Sequence, residues 1–139
     1  MPTAKRIDFE SLKRPGTANT FLLAPNWLCR NATPDTIAPT YPVKAAELRR
    51  TFLASVAAEP RVEHTSADEA ALYDDFVARS RVFRFPDLVS TKFLDLDGDR
   101  STLALYARAV YGLSDMGVNR KRSMAWIAKV NGVIKPHNA

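Results

Sequence analysis

One cysteine, two histidines and five glycines in 139 residues remove most of the familiar catalytic and structural devices before any motif is sought. With Cys29 alone, no internal disulfide can form, and a zinc site would have almost no soft ligands to draw on, so neither a metal nor a cofactor is expected. His64 and His137 stand in no motif that supplies a nucleophile, which leaves a histidine-dependent triad without its parts. The glycines are scattered, which excludes a glycine-rich phosphate loop. No apolar run approaches the roughly 18 residues that a membrane-spanning helix requires. Nor does an apolar segment follow Lys5 and Arg6, where Asp8 and Glu10 stand instead, and the expectation is a cytoplasmic protein.

What is present suits one α+β domain with a single core, at 46% apolar and 25% charged residues. Twenty basic against fifteen acidic residues give a net charge of +5, which favours nucleic acid, anionic lipid or an acidic protein surface as partner. Residues 1–36 hold many of the prolines and read as an irregular segment that wraps the domain, with Phe21, Leu22, Leu23 and Trp27 as its anchors. A domain over 37–132 and a flexible tail over 133–139 complete the organisation.

Within that domain, Ile37 to Val43 has room for one short edge strand, limited by Pro39 and Pro42. Leu48, Phe52, Leu53 and Val56 recur at helical spacing between Lys44 and Glu59, and Pro60 ends that helix. Alternation then takes over: strands are expected at Arg61 to Thr65, Ala71 to Phe85, Leu88 to Leu96 and Thr102 to Val110. Asp97-Gly98-Asp99-Arg100 carries hairpin chemistry. The alternative, a calcium loop beginning at Asp95, fails because its glycine falls at the wrong position and a tyrosine stands where the bidentate glutamate belongs. A closing basic helix, capped by Ser114 or Asp115, is predicted from about Gly117 to Val130, with Asn131-Gly132 as a left-handed stop. The predicted fold is a single antiparallel sheet of four to five strands with helices on one face, in the order β-α-β-β-β-β-α.

Arginine is the residue type that points to a site. Arg79 and Arg81 on one strand, Arg108 on the last strand, and Asp115, Asn119, Arg120 and Arg122 at the start of the closing helix are the candidates for holding a carboxylate or phosphate. The competing structural role pairs those arginines with Asp75, Asp87 and Asp115. Asp74-Asp75 reads as an exposed, solvated pair.

The same stretches carry a family likeness. Through Arg79-Ser80-Arg81 to Phe85-Pro86-Asp87, and through Ser114-Asp115-x-Gly117-Val118-Asn119-Arg120-x-Arg122, the chain resembles the family known as domain of unknown function 1499 from about Pro15 to Val130. The resemblance implies a shared fold and carries no activity with it. The function expected from the residues is a non-catalytic binding module for a small anionic or amphipathic ligand or an acidic protein. An enzyme using Asp115, Asn119 and arginines is the first alternative, and nucleic-acid binding through the basic surface is the second.

Overall fold

The alternation that begins after Pro60 becomes a four-strand meander in the computed structural model, which describes residues 5–112 and 115–137. Ahead of it lie β1 (Thr20–Ala24), β2 (Thr36–Ile37) and α1 (Ala45–Ala57). The meander is β3 (Val62–Asp68), β4 (Tyr73–Arg79), β5 (Pro86–Leu96) and β6 (Arg100–Ala109), and α2 (Val118–Val133) closes the chain. Gly98 and Asp99 both take left-handed backbone at the β5–β6 hairpin, the geometry that Asp-Gly chemistry favours.

The sheet has six strands in the order β2-β1-β6-β5-β4-β3, which corrects the expected four to five. It is also mixed: β1 pairs parallel with β2, whereas every other pairing is antiparallel. The added strand is β1, taken from the segment expected to be irregular. Phe21 and Leu23 face one layer and Leu22 and Ala24 the other, so all four are buried and no polar alternation marks the strand in the sequence. The short strand expected over 37–43 is reduced to Thr36–Ile37 and an isolated bridge from Tyr41 to Ser101.

Two smaller boundaries also differ. The strand expected to run to Phe85 ends at Arg79, because Arg84 takes a φ of 59° and Ser80 N–H bonds back to the Phe85 carbonyl at 3.0 Å. At the other end of the chain, Asn131-Gly132 does not stop α2. Helix continues to Val133, Ile134 N–H reaches the Val130 carbonyl at 2.8 Å, and the Asn131 side chain accepts the Tyr41 hydroxyl at 2.6 Å. The residues after the helix are tied in as well: Ile134 is buried, and His137 N–H donates to the Thr40 carbonyl at 2.8 Å.

Both helices cover one face of the sheet. The core there centres on Phe52 of α1, whose ring lies 5.9 Å from Phe76, 5.4 Å from Phe93 and 6.1 Å from Trp126. Such tilted and edge-on pairs add to the area that the rings remove from water. The other face is covered by the N-terminal segment, with Phe9 and Leu12 packed against Leu22, Tyr73, Ala104 and Tyr106. Asp95, the first carboxylate of the rejected calcium loop, instead accepts the Ala45 N–H at 2.8 Å and so caps α1 from the neighbouring strand.

Candidate functional site

Pro60 ends α1 and Arg61 reverses the chain with a φ of 60°, so the start of β3 stands away from the first turns of α2. A groove of about 470 Å³ opens between them. Its floor is apolar, made by Val62, Ala78, Ala125 and Trp126, with Val118 at the side. Its rim carries five cations, Arg61, Arg79, Arg81, Lys121 and Arg122, against one carboxylate, Glu59. Lys129 holds that carboxylate at 2.9 Å, which leaves the positive charge of the rim unopposed by it.

The rim cations divide by what already holds them. Arg122 donates to Asp87 at 2.9 Å and to Asn119 Oδ1 at 3.0 Å, and Arg79 donates to the Arg84 carbonyl at 3.2 Å. Among the described residues, Arg61, Arg81 and Lys121 have no carboxylate partner. The groove therefore offers an apolar surface beside guanidinium and ammonium groups that are free to take an anion.

The other expected site residues lie elsewhere. Asp115 organises the start of α2: its carboxylate accepts Gly117 N–H at 2.8 Å, Asn119 N–H at 3.2 Å and the Asn119 side chain at 2.7 Å. The alternative cap, Ser114, lies outside the described residues. Arg120 stacks its guanidinium 4.9 Å from the Phe21 ring centroid and lies 3.5 Å from the Thr36 hydroxyl. Arg108 is on the opposite face of the sheet, where it donates to Ser90 Oγ at 2.8 Å and to the Tyr106 carbonyl at 3.1 Å. Ser90 passes the chain on to Asp75 Oδ1 at 2.6 Å, and Tyr73 donates to the same oxygen at 2.9 Å. Burial lowers the pKa of Arg108, and it meets Asp75 only through the serine.

Asp74 and Asp75 are buried, which corrects their expected solvation. Adjacent strand residues face opposite ways, so each carboxylate enters its own network. Asp74 takes Arg49 at 2.8 and 2.9 Å and His64 Nε2 at 2.9 Å on the helix side. No sequence spacing singled out Arg49. Its position beside Leu48 on a helix expected to bury that side was the available signal.

The Asp87–Arg122 pair, at the edge of the groove, gives a pH dependence. Burial raises the Asp87 pKa, the Arg122 guanidinium pulls it down by less, and Asp115 adds a further push upward. An acid with a raised folded pKa holds its proton better folded than unfolded. Its stabilising contribution is then complete below the ordinary value of about 3.9 and is lost as pH rises through the folded value. Asp87→Asn is expected to flatten this decline, read from urea midpoints between about pH 3.5 and 6.5. Identical profiles for the two proteins would show that Asp87 does not carry it.

The family described as protein of unknown function (DUF1499) matches residues 3–130. The chain belongs to this family. No curated protein matches it. Among solved structures, Ara h 8.0201 is 14% identical, with 82% of this chain and 95% of that chain covered at a TM-score of 0.52. The likeness is one of fold, a Bet v1-like sheet and helix arrangement. The di-domain ARO/CYC BexL from the BE-7585A biosynthetic pathway is 15% identical, with 68% of this chain covered and a TM-score of 0.49. This DUF1499 chain spans 44% of the length of BexL.

Proposed function

We propose that this DUF1499 chain is a non-catalytic binding module that takes a small amphipathic anion in the groove between β3, β4 and α2. The observation that carries the reading is the pairing of an apolar floor with cations that have no carboxylate partner. The apolar part of the ligand lies along Trp126 and Val62, and its carboxylate or phosphate meets Arg81 and Lys121. A volume of about 470 Å³ falls in the range of roughly 300–1,000 Å³ that small-molecule sites occupy. Apolar contact supplies the affinity and the planar guanidinium selects the anionic head, so neither half of the ligand suffices alone.

Thermal shift with decanoate and decyl phosphate tests this, with decanol and inorganic phosphate as the two half-ligands. Both anionic amphiphiles are expected to stabilise the protein, by about 2.7 kcal/mol at a hundredfold excess over Kd. Decanol and phosphate are expected to have little effect. Arg81→Ala/Lys121→Ala removes exposed side chains, so the free protein keeps its Tm while the shift with ligand shrinks. Equal shifts in this variant, or no shift with either amphiphile, would overturn the reading.

A further inference from the structure

The β4–β5 hairpin ends in a loop, Ser80 to Phe85, whose exposed side chains are unusual for a water-facing turn. Phe83 is 72% exposed, Val82 76% and Phe85 52%. The two phenyl rings stack at 5.4 Å, and Tyr111, 62% exposed, meets Phe85 edge-on at 5.9 Å. The cluster is thus an apolar projection built from several residues, unlike the single exposed hydrophobic residues that any surface carries.

The loop is braced. Phe85 N–H donates to Ser80 Oγ at 2.9 Å, Ser80 N–H to the Phe85 carbonyl at 3.0 Å, and Arg79 to the Arg84 carbonyl at 3.2 Å. Its remaining residues are Arg81 and Arg84, both exposed, and it contains no acidic residue. Arg61 and Lys121 stand beside Arg81 at the groove, and Glu59 is held by Lys129. This end of the molecule presents aromatic rings beside Arg61, Arg81, Arg84 and Lys121, which have no carboxylate partner among the described residues.

We propose that this loop docks the protein on an anionic phospholipid bilayer, with Phe83, Phe85 and Val82 entering the headgroup region and Arg81 and Arg84 meeting lipid phosphates. Charge and shape both select this occupant. A protein partner needs roughly 800 Å² per side on a fairly flat surface, whereas a convex tip of a few side chains fits a yielding interface into which it can sink about 5–10 Å. Tyr111 has the amphipathic ring that settles at such interfaces. Among the described residues no helix is long and apolar enough to cross a membrane. The surface adjoins the groove of the binding reading above and shares Ser80 and Arg81 with it, whereas Val82, Phe83, Arg84 and Phe85 belong to the loop alone.

Co-sedimentation of the full chain with vesicles tests it. Binding is expected to vesicles of equal parts phosphatidylglycerol and phosphatidylcholine, and not to phosphatidylcholine alone. Arg81→Ala/Arg84→Ala is expected to weaken it about 30-fold, which is about 2 kcal/mol at roughly 1 kcal/mol per arginine. Phe83→Ser/Phe85→Ser is expected to abolish the binding that survives at high salt while leaving Tm and decanoate binding intact. The proposal is overturned by no binding to the mixed vesicles, by equal binding to phosphatidylcholine, or by mixed-vesicle binding that the phenylalanine variant retains at every salt concentration. Self-association that the phenylalanine variant abolishes, with no vesicle binding, would assign the loop to a second copy of the chain and equally overturn it.

Discussion

Replacing Asp74 with alanine is expected to lower the unfolding free energy by about 3–5 kcal/mol, the range seen when one partner of a buried ion pair is removed. Asp74 has no exposed surface, and Arg49 is 8% exposed. The guanidinium reaches both carboxylate oxygens, at 2.8 and 2.9 Å, so the pair is bidentate and fixes orientation as well as distance. Alanine removes the Asp74 hydrogen bond that does most to raise the Arg49 pKa and leaves burial pulling it down, but a guanidinium starts so high that Arg49 stays charged. The cost is therefore that of an uncompensated cation between α1 and β4, with His64 also losing its partner at 2.9 Å. The double replacement Arg49→Met/Asp74→Leu removes both charges and is expected to recover most of the loss, since an apolar pair of similar size is often neutral. Urea unfolding measures both, and a loss under 1 kcal/mol for the single variant would show that water reaches Arg49.

That network illustrates which parts of the fold were legible. The helix over 44–59 was readable because Leu48, Phe52 and Val56 mark a single buried stripe, and they line the core as that stripe requires. The same stripe placed Arg49 at its margin, but nothing in the sequence says that Asp74, 25 residues later, lies opposite. Strand β1 was hidden for the opposite reason. Thr-Phe-Leu-Leu-Ala has no alternation because the strand is covered on both faces, by the helices and by the chain's own first residues. A covering segment has no periodicity that announces it.

The candidate site shows the same division between local and long-range information. Alternation along the last strand set Tyr106 and Arg108 on one face and Leu105 and Ala107 on the other. Arg108 thus faces away from the helices, while Arg79, Arg81 and Arg122 reach the groove beside α2. Grouping all four by charge missed what the period of two already implied. The loop from Ser80 to Phe85 misled differently: valine and two phenylalanines are strand formers, so propensity extended β4 through them. The left-handed backbone at Arg84 and the bonds across the loop turn those side chains outward. A strand-like composition without a covering layer became an exposed surface.

Trp126→Ala is expected to cost about 3–5 kcal/mol, the usual price of a large cavity in an aromatic core. The residue is 2% exposed, and its ring lies edge-on to Phe52 at 6.1 Å and to Phe76 at 6.0 Å. Those contacts join α2 to α1 and to the sheet, and the same residue is one of those that line the groove. Core and candidate site therefore share one side chain, and alanine alone cannot separate their contributions. Trp126→Phe can. It keeps an aromatic ring against Phe52 and Phe76, so the stability loss is expected to fall well below that of alanine, while the floor recedes and decanoate binding weakens. Urea midpoints for both variants, together with decanoate thermal shifts on the phenylalanine variant, provide the measurement. If Trp126→Phe binds decanoate as the wild type does, the ring serves the core alone and the ligand contacts lie nearer Val62 and Val118.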